Sequence, residues 1–599
     1  MLKRLLYLLK FYLVIIALFV VAKFVFMLAC GEGLSVADYA AVAYHGMSLD
    51  LSTALYFLIL PYLLVLVSLW VKVPRFAYLI YNGVVALVSS LAFVADTSLY
   101  PFWHFKLDAS CLQYLETPTE AMASVTVWYL LGRLIIFLVV ALLIFIAISL
   151  IRTRFQPLHH RLLATLGVLL LAGPIVIGIR GGLGESVTNI GQAYYSQNQF
   201  LNHAAVNPVF SFLSSLDKSD SGVIVYHYMS DTECRQLTDS LYYTDSHGAD
   251  TLLTTRRPNI VLIVMEGCGQ QFTQVGGHPD ITPRLNGLMQ QGVTFSQCYA
   301  NSWRTDKGLV SILSGYPALP ATSIMKSPEK SRKMPSLARS LQRAGYENTF
   351  YYGGDINFTN MRSYVLGTGY HHLCTKSDFS REEQSSCQWG VNDEMMFRRL
   401  LADIRAQQPD RPWMKTLLTL SSHEPWDVPT RVLDDEVYNA FHYLDHCLGR
   451  FIDALRQTPA WQNTLVVILP DHGYRYRDID ESTRLYNHVP LLWVGGAVRQ
   501  PAVVSRLCNQ SDLAATLLGQ LAIAHEDFRF SRDVLSTSYR RPVAWHTSTD
   551  FLSLYDSTGW MAYNLDAATI TAHQGSDPQR LLRLASALLQ LASEDLDAK

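Results

Sequence analysis

The chain has 599 residues, of which 50% are hydrophobic and only 16% are charged, and its mean hydropathy is +0.15. This composition excludes a disordered chain, a collagen and a small disulfide-rich scaffold, and it is too apolar for a wholly soluble protein. Residues 1–182 carry 12 Lys and Arg against 7 Asp and Glu, whereas the rest of the chain carries 36 against 43. We therefore predict a charge-poor membrane part followed by a soluble part, with no basic excess for binding nucleic acid.

Five apolar runs in the first third are long enough to cross a membrane, which takes about 20 helical residues. They lie near residues 5–29, 51–71, 77–98, 127–151 and 162–180. The first run could instead be a signal peptide, but it is long for one, it lacks a clear small-residue cleavage site, and four further runs follow it. We predict a transmembrane region with five helices over residues 1–182.

The loops between these runs predict the orientation of the protein in the membrane. Basic residues precede the first run and separate the second from the third and the fourth from the fifth, whereas residues 31–50 have no Lys or Arg and residues 101–125 have only Lys106. By the positive-inside rule, the N-terminus is cytoplasmic and everything after Arg180 lies outside. The protein is thus predicted to be a multi-pass protein of the cytoplasmic (inner) membrane whose soluble part is periplasmic or extracellular.

Two details of this region are also predicted. Lys23 and Arg133 fall inside apolar runs near their outer ends, and we expect both side chains to snorkel to the interface. Residues 183–255 are expected to form a helical juxtamembrane linker. Within it, Asn207-Pro208 should break a helical stretch.

From Pro258 onward the pattern is that of an α/β fold. Short apolar runs predict buried parallel strands at 259–265, 417–420, 465–469 and 489–494. Helical patterns lie between them at 283–291, 335–344, 392–407, 434–457 and 511–521. Strands that alternate with helices imply a doubly wound α/β sheet. We place the main part of this domain at residues 256–540 and its C-terminal part and tail at residues 541–599.

Candidate metal ligands follow three of the predicted strands. Glu266 follows the first strand, His423 comes shortly after Leu420, and Asp471 and His472 follow the strand at 465–469. In such sheets, chemistry collects beyond the carboxyl ends of the strands. Each residue alone is better explained as a helix cap or a turn residue, but together they favour a metal site. Carboxylates with an imidazole suit Mn²⁺, Mg²⁺ or Zn²⁺.

Thr305 is the predicted nucleophile. It precedes the apolar stretch Leu309–Leu313, which is typical of a helix start, where the helix dipole favours anions. A metal bound to this hydroxyl would also ease the loss of its proton. Two alternatives remain open at this point: Thr305 is a simple N-cap, or Ser302 is the nucleophile.

The order and spacing of these motifs resemble the sulfatase/alkaline-phosphatase superfamily. The resemblance is closest to its lipoteichoic-acid-synthase-like branch, which has five N-terminal spans and an extracellular sulfatase-type domain. The motifs that carry the resemblance are Asn259–Glu266, Thr282–Leu285, Thr305 ahead of Ser311–Gly315, Gly353–Asp355, Trp389-Gly390 with Asp393, His423-x-Pro425-Trp426, Asp471–Gly473, Val489–Leu491 and Asp512 with Thr516–Leu518.

The resemblance implies roles for individual residues. Glu266, Thr305, Asp471 and His472 would hold one divalent metal ion, with Mn²⁺ preferred to Zn²⁺ or Mg²⁺, and Thr305 would attack a phosphodiester and be transiently phosphorylated. The substrate would be contacted by His423, Arg362 and Trp389. A second metal, as in phosphoethanolamine transferases, could use His423 and His488. The alternative for His488 is a hydrogen-bonded structural role.

The function implied by the resemblance is transfer of a phospho-headgroup, phosphoglycerol or phosphoethanolamine. The donor would be a membrane phospholipid, and the acceptor an envelope glycan, polymer or lipid. The alternative is an extracytoplasmic phosphodiesterase, phosphatase or sulfuric-ester-type hydrolase of the same superfamily, although the chain lacks the C/S-x-P-x-R motif of true sulfatases at this place. Synthases that use phosphatidylglycerol carry a His and a Trp where this chain has Gly353 and Asn360, which puts the glycerol-phosphate headgroup in doubt.

The nine cysteines show no paired metal-binding spacing. Seven of them fall in the predicted exported part, where disulfides are permitted. Cys374 and Cys387 are the candidate pair, and buried free thiols are the alternative.

Overall fold

The computed structural model of the protein describes all residues except 105, 113–125, 184–187, 189, 194, 197, 220–222, 243–250, 327, 357 and 408–410. The described residues divide into two compact units. One is built mainly from residues before 222 and is called the helical unit below, and the other is built from the later residues and is called the α/β unit. The boundaries predicted at residues 182, 255 and 540 stay predictions.

The regular structure described for the helical unit is helical. Its α-helices are α1 (Leu2–Cys30), α2 (Val36–His45), α3 (Met47–Trp70), α4 (Arg75–Trp103), α5 (Val127–Ser149), α6 (Arg161–Leu169), α7 (Ala172–Arg180), α8 (Gln199–Ala205) and α9 (Pro208–Ser219). Among the described residues, five stretches are long and apolar enough to cross a membrane: α1, α3, α4, α5 and the pair α6–α7. The five predicted apolar helices are confirmed.

The predicted break at Asn207-Pro208 is also confirmed. Helix α8 ends at Ala205 and α9 begins at Pro208. Pro208 has no amide hydrogen to donate, so it suits the first position of a helix. The side-chain oxygen of Asn207 accepts the amide hydrogen of Val209 at 3.0 Å and so caps α9.

The expectation for Lys23 was wrong. Its side chain is 2% exposed, and its ammonium group donates to the carbonyl of Gly46 at 2.9 Å and to Oδ2 of Asp50 at 2.7 Å. Asn207 donates to the other oxygen of Asp50 at 2.9 Å. Because α3 supplies a fully buried carboxylate, Lys23 does not need to reach water. Arg133 is half-buried, with its guanidinium 4.8 Å from the ring of Tyr129.

The α/β unit contains the remaining elements. Its helices are α10 (Asp231–Tyr242), α11 (Pro283–Met289), α12 (Thr305–Ser314), α13 (Pro328–Lys333), α14 (Leu337–Arg343), α15 (Met361–Gly367), α16 (Asp393–Ala406), α17 (Glu436–Arg456), α18 (Asp512–Gln520) and α19 (Pro578–Asp597). Its strands are β1 (Asn259–Met265), β2 (Val293–Phe295), β3 (Cys298–Tyr299), β4 (Glu347–Tyr352), β5 (His372–Thr375), β6 (Trp413–Leu418), β7 (Thr464–Pro470), β8 (Leu492–Val494), β9 (Ala502–Val504), β10 (Cys508–Asn509), β11 (Val543–Thr547), β12 (Phe551–Asp556), β13 (Gly559–Asn564) and β14 (Thr569–Gln574).

The central sheet has eight strands in the order β5-β4-β6-β1-β7-β8-β2-β9. The five strands from β5 to β7 are parallel, whereas β8 is antiparallel to both of its neighbours. A pair, β10-β3, and an antiparallel sheet, β11-β12-β13-β14, complete the unit. The sheet is therefore mixed. The strands that precede the predicted metal ligands, β1, β6 and β7, all belong to its parallel half.

Both faces of the central sheet are covered by helices. Ile260 and Leu262 of β1 pack in one apolar cluster with side chains from α12, α14, α18 and α19. Val261 and Ile263 pack in a second cluster with side chains from α11, α16 and α17. Because successive side chains of a strand point to opposite faces, the two clusters lie on the two sides of the sheet. The predicted doubly wound α/β fold is confirmed.

Two predicted strands differ in detail. The run at 489–494 was expected to form a parallel strand, but only Leu492–Val494 forms β8, and it is antiparallel to β7. A run of apolar residues predicts that a strand is buried, but it does not predict whether the strand is parallel or antiparallel to its neighbours. Of the run at 417–420, only Leu417 and Leu418 belong to β6, as its last two residues. The amide of Leu420 donates to the carboxylate of Asp393 and not to a neighbouring strand.

The cysteine pair did not form. All nine cysteines are free thiols. Cys374 belongs to one of the two core clusters and Cys387 to the other, so the sheet separates them. The alternative of buried free thiols is the one observed for both.

Candidate metal centre and nucleophile

The strand order brings three predicted ligands together. Because β1 lies between β6 and β7, the loops that follow these parallel strands meet at one edge of the sheet. One ligand atom from each of Glu266, Asp471 and His472 lies within 4.8 Å of the others, and all three residues are buried. Nε2 of His472 is 3.3 Å from Oε1 of Glu266 and 3.5 Å from Oδ2 of Asp471.

The backbone of Glu266 is fixed by the loop after β6. Its amide donates to the hydroxyl of Thr419 at 2.9 Å, and its carbonyl accepts the hydroxyl of Ser422 at 2.7 Å. Two hydroxyl groups from a neighbouring strand end thus orient the carboxylate. Neither residue was predicted to have this role, because serine and threonine are too common in loops for their type alone to identify them.

Only one carboxylate oxygen of Asp471 accepts hydrogen bonds from the described residues. Oδ1 accepts the amide hydrogens of Gly267 and His472, each at 2.9 Å. Oδ2 is buried and accepts no hydrogen bond from the described residues. A buried carboxylate oxygen without a partner is costly. A cation at this position would satisfy it, so the donor set fits a divalent ion.

His472 is oriented as a metal-binding histidine usually is. Its Nδ1 lies 2.7 Å from the carbonyl of Gly473, which fixes the proton on Nδ1 and leaves Nε2 directed toward the two carboxylates. His423 repeats this arrangement, with Nδ1 2.9 Å from the carbonyl of Glu424. Both imidazoles therefore present Nε2 for other contacts.

The charges within this cluster shift one another's titration. Burial acts to raise the pKa of Glu266, but the hydrogen bond and charge of His472 outweigh it and lower that pKa. Burial and the charge of Glu266 raise the pKa of Asp471. Burial acts to lower the pKa of His472, but the charge of Asp471 and the hydrogen bond to Glu266 raise it to about 9. The two carboxylates and the imidazole are therefore electrostatically coupled.

Thr305 joins the same cluster. It is the first residue of α12, and its hydroxyl donates to Oε2 of Glu266 at 3.1 Å. Arg304 occupies the N-cap position, so the alternative in which Thr305 is the N-cap does not describe this geometry. The hydroxyl of Ser302 lies 3.4 Å from the amide of Arg304, and its side chain is fully buried. The structure therefore places Thr305, and not Ser302, beside the predicted ligands.

Gly308 allows α12 to approach the metal-ligand loop. A Cβ atom at this position would lie 2.2 Å from the carbonyl oxygen of Asp471. Any larger residue would push the helix away and move Thr305, which lies one turn earlier. The close approach explains why a glycine follows the predicted nucleophile in this helix.

The predicted substrate-binding residues are His423, Trp389 and Arg362. The ring centroids of Trp389 and His423 are 4.3 Å apart, and Nε1 of Trp389 donates to the carbonyl of Glu424 at 2.6 Å. Phe358 packs against Trp389 at 5.7 Å. Arg362 is exposed on α15, the helix that follows Phe358. Trp389 and His423 are thus brought together, and Arg362 lies on a nearby segment of the chain.

His488 is held in a different environment. Its Nε2 lies 2.9 Å from the carbonyl of Ser296, and its ring stacks on Tyr299 at 5.1 Å. Burial lowers its pKa to about 4. The metal-ligating group found among the described residues does not include it. These contacts favour the hydrogen-bonded structural role over a second metal site.

Asp393 and Tyr474 also shape the site without having been assigned a role from the sequence. The carboxylate of Asp393 accepts the amides of Leu420 and Ser421 at 2.8 and 3.2 Å, which fixes the loop carrying Ser422 and His423. Tyr474 donates its hydroxyl to Oε1 of Glu424 at 2.5 Å. Asp393 stood in a recognised motif, whereas no sequence signal singled out Tyr474.

A protein-family comparison matches part of the α/β unit. A family model described as Sulfatase matches residues 258–523, which is less than half of the chain. This stretch includes Glu266, Thr305, Asp471 and His472, so the part of the chain that is similar to the Sulfatase family contains the whole candidate site.

The chain is also similar to curated relatives and solved structures. It is 24% identical over 303 residues to a protein named phosphoglycerol transferase I from Xanthomonas campestris, covering 47% of this chain and 43% of that one. It is 22% identical over 330 residues to a lipoteichoic acid synthase-like protein of Bacillus subtilis, covering 49% and 52%. A crystal structure of an alkaline phosphatase superfamily protein from Vibrio parahaemolyticus matches with a TM-score of 0.55 and 22% identity, covering 62% and 98%.

These similarities confirm the predicted recognition and fold. The chain spans only about half the length of the curated relatives it matches. Likeness at this level of identity establishes the fold of the α/β unit alone. The carboxylate and imidazole site of this unit is able to hold a divalent ion, and the identity of that ion stays a prediction.

Proposed function

We propose that the protein transfers a phospho-headgroup, phosphoglycerol or phosphoethanolamine, from a membrane phospholipid to an envelope glycan, polymer or lipid. A phosphothreonine at Thr305 is the intermediate. The observation that carries the proposal is the position of the Thr305 hydroxyl, 3.1 Å from Glu266 in the buried cluster where Oδ2 of Asp471 has no hydrogen-bond partner among the described residues. Metal-assisted nucleophilic attack requires a hydroxyl beside ligands that can hold a cation, and two buried carboxylates provide such ligands here.

The residues that would hold the ion are Glu266, Thr305, Asp471 and His472. Two carboxylates, an imidazole and a hydroxyl suit a hard or borderline divalent ion, and we propose Mn²⁺, with Zn²⁺ or Mg²⁺ as alternatives. Such an ion, when bound, would lower the pKa of the Thr305 hydroxyl and offset the charge of the phosphodiester.

The reaction proceeds in two displacements. Thr305 loses its hydroxyl proton to solvent and attacks the phosphorus atom, so that a bond from Oγ1 to phosphorus forms and the bond from phosphorus to the diacylglycerol oxygen breaks. When its ring carries protons on both nitrogens, His423 gives the Nε2 proton to the leaving oxygen and regains one from solvent, while its Nδ1 proton stays engaged with the carbonyl of Glu424. A hydroxyl of the acceptor then attacks the phosphothreonine and restores Thr305, which makes the kinetics ping-pong.

The relatives and the helical unit support this proposal. About half of the chain is similar to proteins named phosphoglycerol transferase and lipoteichoic acid synthase-like protein, and residues 258–523 match the Sulfatase family model. The five apolar helices fit an enzyme held beside a lipid donor. From the charge of the loops we propose that the N-terminus is cytoplasmic, that residues 183–255 form the linker, and that residues 256–599 act outside the cytoplasmic membrane.

The test uses the purified full-length protein in vesicles that contain acyl-labelled phosphatidylglycerol or phosphatidylethanolamine. We expect diacylglycerol to form only when Mn²⁺, Zn²⁺ or Mg²⁺ is present, and acid-quenched samples to contain a Thr305 peptide that carries the phospho-headgroup. If neither lipid yields diacylglycerol with any of the three ions, the proposal is wrong. Release of free phospho-headgroup at the full rate without any acceptor would identify a hydrolase instead.

A further inference from the structure

Glu424 is a carboxylate that the proposed reaction does not use, although it lies next to His423. Its Oε1 accepts the hydroxyl of Tyr474, which belongs to the same loop as Asp471 and His472. Its backbone carbonyl accepts Nε1 of Trp389 at 2.6 Å and lies 2.9 Å from Nδ1 of His423. Three segments of the chain thus fix Glu424 beside the site.

Glu424 is half-buried and lacks the ion pair that two other acids of the α/β unit have. Asp512 is paired with Arg532 at 2.8 Å, and Glu481 is paired with Arg475 at 3.2 Å. For Glu424, the residues that the structure describes supply no Lys or Arg within ion-pair distance. The charged groups that act on Glu424 are His423, which is adjacent in the chain, and Glu266, which is itself an acid. The site therefore holds a further acid without a fixed cation.

This acid is unfavourable for an ordinary phosphodiester. The substrate phosphate is itself an anion, so a nearby carboxylate repels a donor whose headgroup is uncharged. An ethanolamine headgroup carries an ammonium group two carbons from its phosphate ester oxygen, and that group offsets the carboxylate. Half-buried aromatic rings lie beside Glu424, with Tyr474 and Trp426 6.5 Å apart. A carboxylate beside aromatic rings is a combination that binds ammonium groups.

We propose that Glu424 is a specificity-determining residue that receives the ammonium group of a phosphatidylethanolamine donor. This inference rests on the proposed function and specifies its donor. It also gives a physical reason for the departures at Gly353 and Asn360, where synthases that use phosphatidylglycerol carry other residues. Phosphatidylglycerol, whose headgroup is uncharged, is the donor that Glu424 disfavours.

The test measures diacylglycerol formation by the full-length protein with phosphatidylethanolamine, phosphatidylglycerol and N-acetylated phosphatidylethanolamine, which lacks the positive charge. We expect the wild type to prefer phosphatidylethanolamine to both other lipids by about tenfold or more in kcat/KM, as loss of a charged hydrogen bond predicts. Glu424→Gln keeps an acceptor for Tyr474 and should remove this preference by lowering turnover of phosphatidylethanolamine alone. Asp427→Asn removes an exposed charge from the same loop and should leave the preference unchanged.

Each outcome decides the inference. Preference for phosphatidylglycerol, or an unchanged ratio in Glu424→Gln, overturns the role of Glu424 and leaves the proposed transfer intact. Consumption of none of the lipids overturns the transfer itself and the inference with it. If Glu424→Gln does not fold, the comparison of phosphatidylethanolamine with its N-acetylated form on the wild type decides, because equal turnover of the two contradicts an ammonium site.

Discussion

The helical unit and the α/β unit both bury acids, but they satisfy them differently. In the helical unit, Asp50 receives Lys23 on one oxygen and Asn207 on the other. Asp96 likewise receives Lys106 on one oxygen and the amide of Leu107 on the other. At the candidate metal site of the α/β unit, two carboxylates share one imidazole, and one oxygen of Asp471 accepts no hydrogen bond from the described residues.

The difference separates structural acids from acids prepared for a ligand. A carboxylate whose two oxygens both accept hydrogen bonds or ion pairs from the protein holds one structural element against another. It has no free oxygen with which to bind a ligand. The spare oxygen of Asp471 is unfavourable until a cation binds, so the protein alone does not explain it. Substitutions of single side chains in the Lys23–Asp50 cluster and in the candidate metal site test this comparison.

The largest effect is expected for Thr305→Ala. Because this change removes the proposed nucleophile, turnover should fall by about 10³-fold or more, as for other nucleophiles. Metal affinity should change far less, since Glu266, Asp471 and His472 remain. Initial rates and equilibrium dialysis with Mn²⁺ measure the two quantities. Thr305→Ser keeps a hydroxyl and serves as the control, and more than a tenth of wild-type turnover in Thr305→Ala would rule out Thr305 as the nucleophile.

Asp471→Asn should lower metal affinity by about 100-fold or more, because it removes the unpaired ligand oxygen. The metal-free variant should lose little stability relative to the metal-free wild type, because the change also removes the repulsion between the buried carboxylates of Asp471 and Glu266. Asp512→Asn is the matched control, because Asp512 is fully paired with Arg532. That variant should lose stability and keep its metal affinity. If Asp512→Asn lost metal affinity and Asp471→Asn lost only stability, Asp471 would not be a metal-binding acid and Asp512 would not be a purely structural one.

Lys23→Met tests the balanced cluster of the helical unit. The change leaves Asp50 buried without its cation, and we expect the free energy of unfolding in detergent to fall by about 3–5 kcal/mol. Combining it with Asp50→Asn should restore part of that loss, because the uncompensated charge disappears. Mn²⁺ binding should stay at the wild-type level in both variants. A loss of Mn²⁺ binding would show that the two clusters are coupled.

The smallest effect is expected for Gly308→Ala. The added Cβ would meet the carbonyl oxygen of Asp471, and relieving this contact should cost about 1–3 kcal/mol of stability and reduce turnover. Gly287→Ala is the control, because no atom lies within 4 Å of a Cβ built there. Thermal unfolding and initial rates of the two variants are compared. Equal behaviour of the variants would mean that α12 is free to shift.

The sequence was most informative where chemistry follows a regular element. Glu266, Asp471 and His472 were recognisable because each comes directly after a buried apolar run, and parallel strands bring such positions to one edge. The five apolar helices were recognisable because length and composition alone predict them.

Features that depend on tertiary contacts were not predictable in this way. The partner of Lys23 lies 27 residues away on another helix, so its burial could not be read from its own apolar run. The direction of β8 and the separation of Cys374 from Cys387 depend on how the sheet is assembled. The spare oxygen of Asp471 also appears only once the amides of Gly267 and His472 are placed around the other one.

Measuring bound metal is the most direct test of the claim that Glu266, Asp471 and His472 form a metal site. Full-length wild type and Asp471→Asn are dialysed to equilibrium against the same Mn²⁺ concentration, chosen to saturate the wild type, and the bound metal is then measured. The account predicts one ion per wild-type chain and almost none in the variant. Equal occupancy of the two proteins, or no binding by the wild type of Mn²⁺, Zn²⁺ or Mg²⁺, would contradict it.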